Sequence, residues 1–329
     1  MSLERGKAIK IAIITTIICV FLALVFILVG VLDKNYGLFP EQEQKNNVLE
    51  YDGEEYVLKS GVETFLVMGL DKMEQDITEN SYNNNQQADF LMLMVFDNEA
   101  KTYSTIHINR DTMADIDVLG IEGNKVSTVK KQIALAHTYG KGGSISNSNT
   151  AKAVSQLLYG VKVNHYMSLT LDSIPVMNEL VDGVTLEVLD DFSGIEGADA
   201  LKKGETVTLT PEQAQLYVQH RRELEDSSNS TRMQRQQQYL KAMREQIVTR
   251  IETDKEFLAN AVIKMADYMD SDCSTTRLEE IGKKMQEYTF VEISEIDGTS
   301  IIGSDEKIEF YPDENALKKV VIDLFYVKK

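Results

Sequence analysis

The segment Ile11–Leu32 constrains this chain more than any other feature: 22 residues without a charged side chain. At about 1.5 Å per residue, a helix of that length crosses a hydrocarbon core of about 30 Å. The run is too long for the apolar part of a cleaved signal peptide, and no A-x-A-like site follows it. Arg5, Lys7 and Lys10 precede it against Glu4 alone, so the positive-inside rule keeps the short N-terminus cytoplasmic. The expected organisation is a cytoplasmic tail at 1–10, a transmembrane helix at 11–32, a polar juxtamembrane stalk at 33–61 and an extracytoplasmic domain at 62–329.

The exported part, residues 34–329, carries 31 basic and 50 acidic side chains, a balance of −19. Nucleic-acid binding is excluded as a general role, because a phosphate backbone demands a basic footprint. Any phosphate site must be a local basic island. Cys19 lies in the membrane segment, which leaves Cys273 alone outside, and the four histidines are scattered. Neither a disulfide framework nor a spaced zinc site is expected, which suits a bacterial surface of the Gram-positive type.

Within the stalk, Tyr56–Leu58 reads as a short strand. Phe65–Leu70 is then a continuous apolar run of strand length that ends at Asp71. An Asn/Gln-rich stretch, 72–88, reads as a loop, and Asp89 leads into a second apolar run, Phe90–Phe96. The turn signal at 97–101 joins it to a third strand, Thr102–Asn109, followed by Arg110. With strands running up, down and up, Asp71, Asp89 and Arg110 fall on one sheet edge, where open sheets place ligands. The alternative is that all three are ordinary solvated strand ends. Helical spacing is read at Val126–His137 and Thr150–Leu158, a glycine-rich turn between them at Gly140–Ser144, and further strands at Val161–Leu171 and Gly183–Val188. P-loop, G-x-S-x-G and HExxH signatures do not occur.

Six of the eight exported arginines lie between Arg221 and Arg250. Thr210-Pro211-Glu212-Gln213 starts a helix, with Thr as N-cap, Pro at the first position and Gln at the third, expected to run to about Glu223. A second helix is expected from Thr231 to about Ile251. Its apolar stripe of Met233, Leu240, Met243 and Ile247 puts Gln236 near the middle and Arg232 at the margin, while Arg235 reads as a surface residue. Inward polar groups at a helix N-terminus point to an anionic partner. The competing reading is a surface helix whose arginines pair with Glu225 and Asp226.

FLVMGLD (65–71), ADFLMLMVF (88–96), INRDT (108–112), the YGKGG turn, LVDGVTL (180–186) and YVQHRR…SNSTRMQRQQ (217–237) occur in that order. The set resembles the LytR-CpsA-Psr family of cell-envelope ligases, from about residue 60 to the closing YPDENALKKVVIDLFY. The resemblance implies an α/β fold with a central mixed, partly antiparallel sheet flanked by helices behind one transmembrane helix. It implies transfer of a teichoic acid-like or capsule-like glycopolymer from a membrane-borne polyprenyl-pyrophosphate carrier to peptidoglycan, through a phosphodiester link. By the same resemblance Asp71 and Asp89 hold Mg²⁺, with Mn²⁺ as an alternative, and Arg110, Arg221, Arg222, Arg232 and Gln236 contact the pyrophosphate. Arg110, Asp89 and Arg221 are then the catalytic set, and an apolar cavity takes the polyprenyl tail. A non-catalytic polyprenyl-phosphate binder or envelope regulator, and a hydrolase of the same carrier, are the rival readings. Gln219 stands where an arginine is usual in the family, and Gln87-Ala88-Asp89 where Arg-Ser-Asp is usual.

Overall fold

The computed structural model describes residues 48–72, 84–220, 224, 229–304 and 306–329. The chain divides into two compact units, Met1–Lys45 and Asn46–Lys329, and all the described residues belong to the second. The expected cytoplasmic tail and transmembrane helix lie outside the described residues. Among the described residues, no helix is long and apolar enough to cross a membrane.

Strands β1 (Val48–Tyr51) and β2 (Glu54–Leu58) form a hairpin, so the last part of the expected stalk is folded. Three long strands follow: β3 (Val62–Lys72), β4 (Gln86–Asp97) and β5 (Thr102–Ile108). The turn between β4 and β5 is set by Asp97, whose carboxylate accepts from the backbone N–H groups of Glu99 and Ala100. A second hairpin, β6 (Met113–Leu119) and β7 (Lys125–Gln132), leads through a short 3-10 segment, Ile133–Thr138, to α1 (Gly143–Leu157). Next come β8 (His165–Thr170), α2 (Ser173–Leu180), β9 (Thr185–Glu187), β10 (Thr206–Thr208), α3 (Pro211–Gln219) and α4 (Asn229–Thr253). The chain closes with α5 (Phe257–Met265), β11 (Met269–Ser271), α6 (Thr275–Glu287), β12 (Thr289–Glu295), β13 (Gly298–Ile302), β14 (Ile308–Pro312), α7 (Glu314–Phe325) and β15 (Tyr326–Lys328).

The central sheet is mixed, in the order β11-β8-β3-β4-β5-β12. Its middle is the antiparallel β3–β4–β5 meander, with β8 parallel to β3 and β12 parallel to β5. Period-two alternation divides its side chains between two cores. Leu66, Met68, Leu91, Leu93 and Ile106 pack with Ala151 and Val154 of α1 and with Val321 and Phe325 of α7. Phe65, Met94, Phe96 and Tyr103 face the other way, toward Ile281 of α6. A third core joins Val184, Phe192 and Leu201 to Tyr217 of α3 and Tyr239 of α4.

Three expectations about local structure are corrected. The stretch read as a helix at Val126–His137 is β7 plus the 3-10 segment. β-Branched Val126, Thr128 and Val129 favour the extended form, and β6 supplies the ladder. Helix α1 begins at Gly143 rather than Thr150, because its first turns bury polar groups instead of an apolar stripe. Buried Asn149 donates to the carbonyls of Asp117 and Ala136, and Asn147 to Asp270. Thr210 caps α3 as expected, with Gln213 completing a capping box, but the helix ends at Gln219.

Candidate active site

The site begins with an irregularity in the sheet. β3 and β4 pair in register from Val62↔Asp97 to Gly69↔Phe90, and the next pair is Leu70↔Ala88. Asp89 is therefore the extra residue of a β-bulge. Phe90, Met92 and Met94 line a cavity on the α6 side of the sheet, while Leu91, Leu93 and Val95 belong to the opposite core. Strict alternation would send Asp89 into that opposite core. The bulge changes the parity: Ala88 takes the core position and Asp89 joins Phe90 on the cavity side. Gly69 lets the strands close there, since a Cβ at Gly69 would stand 2.9 Å from the Phe90 Cβ. On β3, Val67, Gly69 and Asp71 alternate onto the same side.

Asp89, Arg110 and Arg232 converge at the mouth of this cavity. Arg110 pairs with Asp89 Oδ2 through Nη1 and donates from Nη2 to Gln87 Oε1 at 3.3 Å. Its Nε lies 3.4 Å from the buried carboxylate of Asp111, which holds the guanidinium from behind. Arg232 Nη1 stands 3.9 Å from the same Asp89 oxygen. The other oxygen, Asp89 Oδ1, is buried without a hydrogen-bond partner. Burial raises the Asp89 pKa above the ordinary carboxylate value, and Asp71 adds to the rise; the two arginines oppose it without cancelling it. Gln219, at the end of α3, donates to Asp71 Oδ2 at 3.3 Å.

The first turn of α4 positions Arg232. Buried Asn229 accepts from Arg232 Nη2 at 2.6 Å and donates to Asn109 Oδ1 at 2.8 Å, tying the helix start to the end of β5. Gln236 lines the cavity as its spacing indicated, with its amide donating to the carbonyl of Val218, an acceptor in the last turn of α3. Arg221 and Arg222 lie outside the described residues. Arg235 is not a surface residue: it is fully buried, its Nε 3.2 Å from Asp190 and its guanidinium 5.2 Å from the Phe192 ring. It packs against the third core and does not line the cavity.

Below the mouth the cavity holds about 430 Å³ and is overwhelmingly apolar. β4 gives it Met92 and Met94, β8 gives Met167 and Leu169, and α5 and α6 give Met265 and Ile281. Its lining comes from several segments far apart in sequence, so the family resemblance implied a cavity but the sequence did not place its walls. Asn109 and Asn229 also escaped the sequence reading as site residues; Asn229 belongs to a run of capping-type residues at the start of α4, and Asn109 carries no comparable signal.

His107 sits on the cavity side of β5, its ring 5.0 Å from that of Phe90 and its Nδ1 3.3 Å from Gln237 Nε2. Burial, with Arg232 adding to it, pushes its pKa down to about 3, so it is neutral at physiological pH. Elsewhere, the fold brings His165, Asp272 and Cys273 within 4.8 Å of one another, a grouping that sequence spacing did not reveal. Burial and Asp272 push the Cys273 thiol up to about 11, and Asp272 Oδ1 already accepts from the Tyr166 N–H. As it stands that group is a hydrogen-bonded strand end.

The chain matches the family model described as the LytR_cpsA_psr family over residues 38–323. No curated protein matches it by sequence. Among solved structures it resembles TagV of B. subtilis at 21% identity and a TM-score of 0.59, covering 81% of this chain and 97% of that one. TagT bound to LI-WTA is 19% identical with a TM-score of 0.61, over 80% of this chain and 90% of that one. Protein gbs0355 from Streptococcus agalactiae is 16% identical with a TM-score of 0.63, over 80% and 87%. At these identities the likeness is one of fold.

Proposed function

The chain belongs to the LytR-CpsA-Psr family, and from that premise we propose that it is a phosphotransferase that moves a glycopolymer from a polyprenyl-pyrophosphate carrier to peptidoglycan. The observation that carries this reading is the junction of a charged mouth, built from Asp71, Asp89, Arg110 and Arg232, with a large apolar cavity directly beneath it. A carrier that is anionic at one end and hydrocarbon at the other matches that division. TagT, a neighbour in fold, has been solved with LI-WTA, which supports a wall-teichoic-acid type of cargo.

In the proposed reaction an acceptor hydroxyl attacks the phosphorus next to the sugar, and its proton passes to the departing phosphate or to solvent. A phosphodiester to the acceptor forms, the pyrophosphate bridge breaks, and polyprenyl phosphate leaves with the electron pair. Catalysis of this kind rests on positioning and on neutralising charge rather than on a covalent enzyme group. Arg110 holds Asp89 through Nη1 and Gln87 through Nη2 with Asp111 beside its Nε, and its remaining N–H groups would meet the pyrophosphate oxygens. Arg232, steadied by Asn229, adds a second guanidinium, and Arg221 and Arg222 carry the same assignment from the family pattern. Gln236 borders the same space.

The donor set fits a hard divalent cation, because Asp89 Oδ1 is a buried carboxylate oxygen without a partner and Asp71 lines the same mouth. Asp71 and Asp89 would hold Mg²⁺, or Mn²⁺, which supplies further neutralisation of the pyrophosphate charge. The segment 11–32 would anchor the protein in the cell membrane, with the catalytic unit on the outer side among its lipid-linked and peptidoglycan substrates.

The test uses the full-length protein, a polyprenyl-pyrophosphate oligosaccharide, a peptidoglycan acceptor and Mg²⁺, with EDTA as control. Mass spectrometry should find sugar joined to the acceptor through a phosphodiester, and Arg110→Ala should lose that product. Free sugar phosphate as the sole product would replace transferase with hydrolase. Bound but unconverted carrier would replace it with a binder.

A further inference from the structure

The cavity has a second polar element, away from the mouth, that the transfer reading does not use. Helix α4 runs along β5, with Gln237 bonded to His107 at one level and Arg244 to the Tyr103 hydroxyl at the other. Those seven residues of helix span about 10 Å. Thr105 lies midway between Tyr103 and His107 on the same face of β5, so it is level with the turn of α4 that carries Lys241. All of Tyr103, Thr105, Lys241 and Arg244 line the cavity.

Three observations there point to a ligand. Thr105 is 5% exposed, and its hydroxyl is buried without a hydrogen-bond partner in an otherwise apolar wall. A buried hydroxyl left without a partner is costly, and a bound polar group would recover that cost. Arg244 is half-buried, its guanidinium 5.5 Å from the Tyr103 ring and 5.1 Å from the Phe290 ring, and no carboxylate pairs with it among the described residues. Lys241, one helical turn before it, reaches from the cavity to solvent and likewise has no carboxylate partner among the described residues. In a domain of strong negative charge, two cations without acidic partners among the described residues, one of them exposed, sit on one wall of an apolar cavity and suit an anion attached to hydrocarbon.

We propose that this polar patch between α4 and β5 binds the anionic head of a long-chain amphiphile whose chain occupies the cavity, a ligand distinct from the pyrophosphate carrier. Arg244 and Lys241 take the head, and the Thr105 hydroxyl donates to it or to the first polar atom of its tail. Because chain and carrier tail compete for one cavity, such a lipid excludes the carrier. The chemistry is that of a carboxylate head on a saturated chain.

The test is native mass spectrometry of the full-length protein released from non-ionic detergent micelles, with palmitate, 1-hexadecanol and inorganic phosphate as probes. The expected result is a 1:1 palmitate adduct, half-saturated at a concentration about tenfold or more below that for hexadecanol. Arg244→Met and Lys241→Met should each erode that preference while still retaining hexadecanol, which shows the cavity is intact. Arg232→Gln, at the mouth, should leave it unchanged. Equal retention of acid and alcohol by the wild type overturns the proposal, as does an acid preference that survives Arg244→Met or disappears in Arg232→Gln. Displacement of palmitate by phosphate alone, at equal concentration, would also overturn it, since the head would then need no chain.

Discussion

Asp89 gives one carboxylate oxygen to Arg110 and keeps the other, Oδ1, buried without a hydrogen-bond partner. A half-satisfied carboxylate at that depth is costly to the fold taken alone. Arg110 keeps Asp111 and Gln87 as further contacts. Arg110 Nε and Arg232 Nε are likewise buried without a hydrogen-bond partner, so the unmet groups of both signs gather here, and burial holds the Asp89 pKa above the ordinary carboxylate value.

Asp89→Asn should separate cation binding from folding. The amide keeps an acceptor for Arg110 and removes the desolvated charge, so denaturation midpoints should correspond to a change within about 1 kcal/mol. Mn²⁺ binding, read by electron paramagnetic resonance, should weaken about tenfold or more as an anionic oxygen is lost. Unchanged Mn²⁺ affinity would remove Asp89 from the cation site.

Gly69→Ala tests the device that turns Asp89 toward the cavity. The new Cβ would meet the Phe90 Cβ at 2.9 Å, between two central strands that cannot part without breaking the ladder. Overpacking of this kind costs about 1–3 kcal/mol. The midpoint of urea unfolding should fall accordingly, and transfer should drop further than stability does, because the bulge moves. A variant as stable and active as the wild type would show that the strands tolerate the methyl and that Gly69 does not govern the bulge.

The meander was legible because β3, β4 and β5 are apolar runs bounded by turn residues, and the turn at Asp97 follows from local chemistry. From the same reading, Asp89 and Arg110 were expected on one edge, and they do meet. The bulge was not legible: nothing in QQADFLM marks which residue is skipped, since the skip is fixed by the partner strand at Gly69. Arg235 misled for a related reason. Its helical angle places it off the stripe of α4, but Asp190 and Phe192 come from a distant loop and cover it. Periodicity reports one face of an element and is silent on what a remote segment lays over the other. The start of α1 failed because polar Ser146, Asn147 and Asn149 fill buried positions that a hydrophobic pattern would leave blank.

Glu63 offers a pH test well removed from the mouth. At the start of β3 it pairs with Arg277 and with Lys284, the latter at 2.6 Å, and so fastens α6 to the sheet. Burial alone would raise its pKa, but Lys284 and Arg277 outweigh burial and lower it. A carboxylate depressed in the folded state adds stability above its unfolded pKa and loses it as pH falls through the folded value. Glu63→Gln should cost about 1.5–3 kcal/mol at pH 7, the range for a hydrogen bond to a charged group. The gap from wild type should close as pH drops below about 4.5, the unfolded value. A gap that stays constant down to pH 3 would mean that shape, not charge, is what Glu63 contributes.

Ala261 bears on whether the cavity holds the carrier's tail. It lies on α5, partly buried and lining the cavity, where α5 and α6 approach so closely that a Cβ on Gly282 would stand 3.0 Å from Leu258. Ala261→Trp would fill interior space without touching the charged mouth. Transfer from a long-chain polyprenyl donor should then fall by about tenfold or more, because binding energy from the remote tail is lost. A donor with a short, water-soluble tail gains little from the cavity and should be affected less than about twofold. Mn²⁺ binding at the mouth should be unchanged, which separates a filled cavity from a damaged fold. Equal losses with both donors would mean that the tail does not lie in this cavity, and the division into charged mouth and apolar interior would need another occupant.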